Sequence, residues 1–412
     1  MRILWLSNAI LSDSDSCCSG TWLGAMAHSL VATGAVQLCN IAVGKVKTPT
    51  RLDSGPIRQW IVPESGPSRD GLPPAQIVAG IIKAVEDFSP DLVHIWGTES
   101  YWGLLTARNI IQQPALLETQ GLKFAIAKVF HGGLSFHEQM SCIGLKEIIR
   151  RSTIYQARRR FEAWGVFEKE MIAHHHYVAV QTEWVEAQIK AINKESKTLH
   201  TNFILRQPFY DAVPWQFTEN QRIFCSASYA SPFKGLHVAV RTIAQLKKRF
   251  PNIELRIAGA HQRKGIRQNG YIRWVNRQII NLDVERHVCW LGSLSANTIV
   301  EEMTSAAAML IPTYIENGCT SMQEAMMVGT PIVASCAGGL PSVARDEESV
   351  LFSSTGDEVM CAHQLERLLT DQVLAERLSH NARFIALVRN NPETVVKNQL
   401  EIYQQVIAGA GC

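Results

Sequence analysis

Tyr314-Ile315-Glu316-Asn317-Gly318-Cys319-Thr320-Ser321-Met322-Gln323-Glu324-Ala325-Met326 follows an apolar run at 308–312 and precedes Gly329-Thr330-Pro331 and a second apolar run at 332–334. Short apolar strand, loop, helix-period segment, stop and strand again make the repeating unit of a parallel sheet covered on both faces. Gly329 predicts a left-handed helix cap, and Pro331 cannot continue the helix. Seven residues separate Glu316 from Glu324, with Asn317-Gly318 forming a turn between them. The free N–H groups of the helix start, near Thr320 and Ser321, can face an anion. A carboxylate accepts several hydrogen bonds at once, so one carboxylate for each of two sugars is the simplest use of the pair. Glu324 also has the spacing of a capping box, Ser321-x-x-Glu324, and both uses can hold together. Glu316 has no such structural task, and loops after strands concentrate binding residues.

Outward from this stretch the same alternation recurs. Strands are expected at 3–6, 92–95, 115–117 and 177–180, then at 223–226, 254–258, 288–291, 308–312 and 332–334. Two doubly wound sheets follow, as suits 412 residues, more than one core usually supports. Pro208 and Pro214 interrupt both periods between Arg206 and Phe217. The expected division is therefore a first domain over 1–207, a second over 218–386, and a tail over 387–412. That tail reads as a helix over 392–407, started by Pro392 and packing back on the first domain. Neither opening strand runs into G-x-G-x-x-G: Ser7-Asn8-Ala9-Ile10 follows Leu6, and Ala227-Ser228-Tyr229 follows Ser226. This argues against a nicotinamide dehydrogenase, although ligands of open parallel sheets still bind at the carboxyl ends of strands.

Composition excludes several classes. With 46% hydrophobic and 19% charged residues the chain is neither disordered nor fibrous, and a net charge of +3 is too mild to indicate nucleic acid. Ten scattered cysteines include no CxxC pair, which fits a reduced cytoplasm better than a zinc or redox site. The first apolar run is too short for a signal peptide, and no uncharged stretch is long enough to span a bilayer. His174-His175-His176 cannot converge on one ion, because neighbouring side chains of a helix project about 100° apart. Gly338-Gly339 after the strand at 332–334 reads either as a tight turn or as a close approach of backbone to a phosphate or sugar. The cluster Arg150, Arg151, Arg158, Arg159 and Arg160 is interleaved with Ile148, Ile149, Ile154 and Tyr155. It reads as a solvated basic face or as a peripheral contact with an anionic membrane through the Arg150–Arg160 region.

The order of strand, E-x7-E, helix, G-x-P-I-V-A-S and G-G-L resembles the retaining GT-B glycosyltransferases of family 4, in particular a subgroup of surface polysaccharide assembly. The likeness is dense from about 224 to 352 and patchier before it. It implies two Rossmann-like doubly wound domains facing a central cleft. It further implies that Glu316 contacts the transferred sugar, that Glu324 holds the ribose, and that Gly318, Cys319, Thr320 and Ser321 border the sugar and diphosphate. In Ser231-Pro232-Phe233-Lys234-Gly235-Leu236 the resemblance makes Lys234 the cation that meets the donor diphosphate. Trp290-Leu291-Gly292-Ser293 is similar to the loop whose backbone, at Leu291, reads the base. Ser19-Gly20-Thr21-Trp22-Leu23 resembles the small-residue loop after the first strand, with Gly20 beside the donor phosphates, or else a plain helix start. Pro90 to Glu99 and Glu118-Thr119-Gln120-Gly121-Leu122 resemble the acceptor and sugar side, through Glu99 and Gln120, whereas His94 alternates with buried positions and reads as structural.

Further stretches widen the likeness: Phe167-Glu168-Lys169-Glu170, Thr182-Glu183-Trp184 and Thr201-Asn202-Phe203-Ile204-Leu205-Arg206. The pattern is broken in three places. Tyr229 stands where many relatives have an arginine, so Lys234 needs help from Arg263 or Lys264, or activity is weakened. Gln120 replaces a frequent histidine and cannot act as a base. Asn202-Phe203 replaces N-E, which weakens Arg206 as a ligand.

The function implied is a metal-independent, cofactor-free, retaining transfer of a hexose from a nucleotide diphosphate sugar to a glycan or lipid-linked acceptor in polysaccharide biosynthesis. It is placed in the cytoplasm or at the inner face of the membrane. The alternatives are a sugar-nucleotide epimerase of the same fold and a non-catalytic nucleotide-sugar or glycan-binding protein.

Overall fold

Fourteen strands form two sheets in the structure, a computed structural model that describes residues 1–11, 21–53, 55–66, 68–226, 231–259 and 268–410. The chain divides into two compact units. The first comprises Met1–Phe124, Ala163–Arg206 and the stretch from Arg389 on, and the second comprises Ala125–Glu162 and Gln207–Val388. The main chain passes from the first unit to the second between Arg206 and Gln207. The segment 125–162, however, belongs to the second unit and not to the first domain in which the linear reading placed it.

The first unit holds β1 (Arg2–Ser7), β2 (Gln37–Gly44), β3 (Thr50–Arg51), β4 (Arg58–Pro63), β5 (Leu92–Trp96), β6 (Ala115–Glu118), β7 (Tyr177–Val180) and β8 (Lys197–His200). Their order is β3-β4-β2-β1-β5-β6-β7-β8, parallel except for the β3–β4 pair. All of β5 and β7 is buried, as expected of strands covered on both faces, where apolar residues run continuously instead of alternating. The helix Pro392–Ala410 buries Val395, Val396, Gln399, Ile402, Tyr403 and Val406, one stripe at helical spacing. Trp5 Nε1 donates to Tyr403 Oη at 3.0 Å, and Tyr403 Oη lies 2.9 Å from His94 Nδ1.

The second unit holds β9 (Arg222–Ser226), β10 (Glu254–Ala258), β11 (Val288–Gly292), β12 (Ala308–Ile311), β13 (Ile332–Ser335) and β14 (Leu351–Ser353), in the order β11-β10-β9-β12-β13-β14, all parallel. Trp215 anchors the entry to this unit, its backbone N–H bonded to Val328 O and its indole N–H to Ala306 O. The helix Thr320–Val328 ends as expected at Gly329, φ 89°, whose N–H reaches back to Ala325 O and Met326 O.

Candidate functional site

In the second sheet the chain runs outward from β9 through β10 to β11, and then outward on the other side from β12 through β13 to β14. Strand order therefore reverses between β9 and β12. At such a switch point the two loops leaving the carboxyl ends diverge and open a crevice for a ligand. The loop after β9 carries Lys234, and the loop after β12 carries Glu316.

The two loops are locked together by backbone. Pro232–Lys234 forms one 3-10 turn, closed by Gly235 at φ 72°. A Cβ on Gly235 would overlap the Pro312 carbonyl oxygen, so only glycine fits. Phe233 O accepts from Tyr314 N at 2.8 Å and from Thr313 Oγ1 at 3.2 Å. With both loops fixed, Lys234 Nζ donates to Glu316 Oε1 at 2.5 Å, and both side chains are largely buried, 20% and 17% exposed. A second clasp holds Glu316 from behind. Gly339 N–H donates to Glu316 O at 2.9 Å, and a Cβ on Gly338, φ 57°, would overlap that same oxygen. The glycine pair forms a turn, and the backbone it approaches is that of Glu316.

The helix start differs from the capping-box expectation. The N-cap is Cys319, at φ 42° and with no side-chain cap bond, so Ser321 is already the second helical residue and Glu324 lies beyond the position from which a carboxylate reaches back to the cap. Glu324 is instead a buried residue within the helix. Cys319 O accepts from Met322 N, and Gln323 Nε2 donates to Gly318 O at 2.7 Å, which ties the turn to the helix. The N–H groups of Thr320 and Ser321 precede the first intrahelical donor and point out of the helix start. The Cys319 thiol touches Ser321 Oγ at 3.5 Å, and burial pushes it up to about 12, so it stays protonated and unreactive. Gly318, Cys319, Thr320 and Ser321 thus lie along the edge that runs from Glu316 to Glu324. Leu291 sits apart from them, in the edge strand β11. Gly20 and Arg263, with Tyr229 and Lys264, fall outside the described residues.

The first sheet reverses between β1 and β5, and Glu99 follows β5. Gly97, φ 101°, lets Glu99 fold back: a Cβ there would overlap Glu99 Oε2 and come within 3.6 Å of Gln120 Cδ. Glu99 Oε1 accepts from Gly121 N at 2.7 Å, and Lys123 Nζ donates to Glu99 O at 2.6 Å. The structure therefore brings Glu99 and Gln120 side by side. Burial pushes the Glu99 carboxyl up, against the pull of backbone N–H groups and of Lys123, whose own ammonium burial pushes down.

Sequence reasoning gave no role to Glu168, which is completely buried beneath this loop pair. Its Oε1 accepts from Thr98 Oγ1 at 2.6 Å and its Oε2 from Phe124 N at 2.9 Å, stitching the loop after β5 to the loop after β6. Burial pushes its carboxyl up to about 7 despite those two bonds, with the Glu99 charge adding to the rise. Two buried histidines, His175 and His94, serve the packing of the first unit. His175 is buried with Nδ1 on Met171 O and Nε2 on Thr106 Oγ1, and burial lowers it to about 4. His94 Nε2 stands 3.6 Å from Glu118 Oε2, beyond hydrogen-bond reach, and burial holds the ring neutral.

Two parallel-sheet α/β units, each with its candidate residues at the point where strand order reverses, are the GT-B architecture. Residues 211–384 match the family described as "Glycosyl transferases group 1". In fold the chain resembles sucrose-phosphate synthase from Thermosynechococcus elongatus, TM-score 0.74 at 18% identity with 99% of each chain covered. It also resembles Anabaena HepE, solved in complex with UDP and glucose, TM-score 0.68 at 16% identity with 98% of this chain and 100% of that one covered. In sequence it is similar to a D-inositol 3-phosphate glycosyltransferase of Stackebrandtia nassauensis, 28% identical over 167 residues, 38% of this chain. The match spans little more than a third of the length of such curated relatives, 37% of that one and 35% of its Corynebacterium efficiens counterpart.

Proposed function

We propose that the chain is a retaining glycosyltransferase that moves a hexose from a nucleoside diphosphate sugar to a glycan or lipid-linked acceptor, in the assembly of a polysaccharide. The observation that carries the reading is the Lys234–Glu316 pair, one cation and one carboxylate held 2.5 Å apart by backbone clasps at a switch point. Transfer requires that negative charge developing on the leaving diphosphate be neutralised, and that the sugar hydroxyls be held. Lys234 with the N–H groups of Thr320 and Ser321 supplies the first, and Glu316 supplies the second. Glu324, one helix turn further along, takes the ribose hydroxyls. The leaving phosphate itself accepts the acceptor's proton on the face it departs from, so no protein nucleophile is needed. Glu99 and Gln120 are assigned to the acceptor and sugar. Because the leaving charge is met by a lysine and backbone dipoles, the proposal requires no metal ion.

The HepE complex supports UDP sugars as the first donors to try. The test is incubation with labelled UDP-, GDP- and ADP-sugars and a lipid extract. Labelled lipid or glycan is expected. Isomerised donor without acceptor would assign an epimerase instead, and binding with neither product would assign a non-catalytic module.

A further inference from the structure

The segment 125–162, which the fold places in the second unit, carries a concentration of exposed apolar side chains. Phe136 is 74% exposed, Met140 46%, Leu145 78%, Ile148 59% and Ile149 76%. They lie on two short helices, Phe136–Ser141 and Leu145–Ile149, at spacings of three and four that put each set on one face. The opposite faces are tied down. Arg241 pairs with Glu138, Arg277 with Ser141 O, Arg273 with Glu147 at 2.8 Å, and Lys146 Nζ with Gln268 O at 2.9 Å. Gly270 lies so close to Cys142 O that a Cβ would overlap it. The apolar face is therefore held outward by four polar clasps and a close backbone contact.

Charge on this segment is sorted by direction. Glu138 and Glu147 are consumed by the inward clasps, and Glu162 by Arg158 at 2.8 Å. Arg150, Arg151 and Arg159 are exposed, and among the described residues their side chains make no hydrogen bond or ion pair. An exposed apolar set whose neighbouring carboxylates are paired and whose unpaired charges are all positive is complementary to an anionic lipid surface, with apolar side chains entering the acyl boundary and arginines meeting headgroups.

We infer that this face is a peripheral membrane-docking surface for an anionic bilayer, with Leu145, Ile148 and Ile149 as the inserting side chains and Arg150, Arg151 and Arg159 as the headgroup contacts. It stands independently of the transfer reaction, since none of these residues belongs to the donor or acceptor assignments.

Flotation of the full chain with vesicles of phosphatidylcholine, alone or mixed with phosphatidylglycerol, tests it. Wild type is expected to bind the mixed vesicles, to release as salt rises, and to ignore phosphatidylcholine alone. Leu145→Ser/Ile149→Ser is expected to weaken binding about tenfold or more, and Arg150→Gln/Arg159→Gln by about fivefold per arginine. Neither pair should move the thermal midpoint, because every substituted side chain is exposed. Val373→Ser/Phe384→Ser, exposed on another helix, should bind as wild type. Failure of wild type to bind the mixed vesicles would overturn the inference, as would equal loss in the Val373/Phe384 control or binding unchanged in both test variants. If Leu145→Ser/Ile149→Ser instead breaks a dimer and leaves vesicle binding intact, the face belongs to a second copy of the chain and the inference is again overturned.

Discussion

Gly235 and the carbonyl of Pro312 are packed directly against each other: the glycine sits at φ 72° with no room for a Cβ between it and that oxygen. This contact sets the height of Lys234 relative to the loop after β12, because Phe233, two residues before the glycine, accepts both Tyr314 N and Thr313 Oγ1. Gly235→Ala forces a left-handed Cβ into backbone. It is expected to cost about 2 kcal/mol or more of stability and to separate Lys234 from Glu316. Thermal unfolding reads the first effect and donor turnover the second. Unchanged turnover would mean that the pairing does not depend on this contact.

Lys234 and Glu316 satisfy each other before any donor arrives, so donor binding must exchange one partner for another. Glu316→Gln releases the ammonium. It is expected to raise affinity for a free nucleoside diphosphate about fivefold, near 1 kcal/mol, while transfer falls more than about tenfold. Lys234→Ala and Glu324→Ala should each lower donor binding or turnover by more than about tenfold, roughly the 1.4 kcal/mol of a lost charged contact. Calorimetric titration with UDP separates the variants. Weaker UDP binding in Glu316→Gln would show that the carboxylate does not hold the lysine in check.

What could be read beforehand follows the physics of each element. Strands such as β12 and β13, buried along their whole length, announce themselves as unbroken apolar runs. β2 does not, because Asn40 lies within it and pairs sideways, accepting from Ser7 Oγ and donating to Gln59 Oε1. β14 is three residues long and offers no period. The helix stop at Gly329 was legible because a local rule decides it. The start at Cys319 was not, since the sequence offers Ser321 as a better cap, whereas a cysteine in the left-handed conformation follows no local rule. The segment 125–162 joins the second unit through ion pairs separated by about a hundred residues, Glu138 with Arg241 and Glu147 with Arg273, which no local pattern encodes. Glu168 sits in Phe-Glu-Lys-Glu, which reads as helix surface until Thr98 and Phe124 are seen to close over it.

Glu168 should govern stability between about pH 4.5 and 7. Its folded carboxyl stands near 7 against 4.5 unperturbed, so in that window the folded chain holds a proton that the unfolded chain has lost. The unfolded state binds fewer protons, and stability must fall as pH rises through the window and then level off. Glu168→Gln keeps an acceptor for Phe124 N and has no proton to lose. The thermal midpoint of this variant is expected to gain on wild type from pH 5 to about pH 7 and then to keep a constant lead. Parallel pH curves for the two proteins would refute the assignment.

Tyr403 ties the last helix of the first unit to its central strands, and its hydroxyl is fully used. Trp5 Nε1 can only donate, so Tyr403 Oη accepts from it and must donate its own proton to His94 Nδ1. That fixes the neutral His94 with its proton on Nε2, directed toward Glu118. Tyr403→Phe leaves a buried indole N–H and a buried imidazole nitrogen without partners, at an expected cost of about 1–3 kcal/mol for each unsatisfied group. Because the Tyr403 hydroxyl bonds to Trp5 and His94, neither of them a donor or acceptor candidate, the variant should melt several degrees lower and yet retain wild-type KM for donor at 25 °C. A changed KM with an unchanged midpoint would instead put this helix in contact with the substrate.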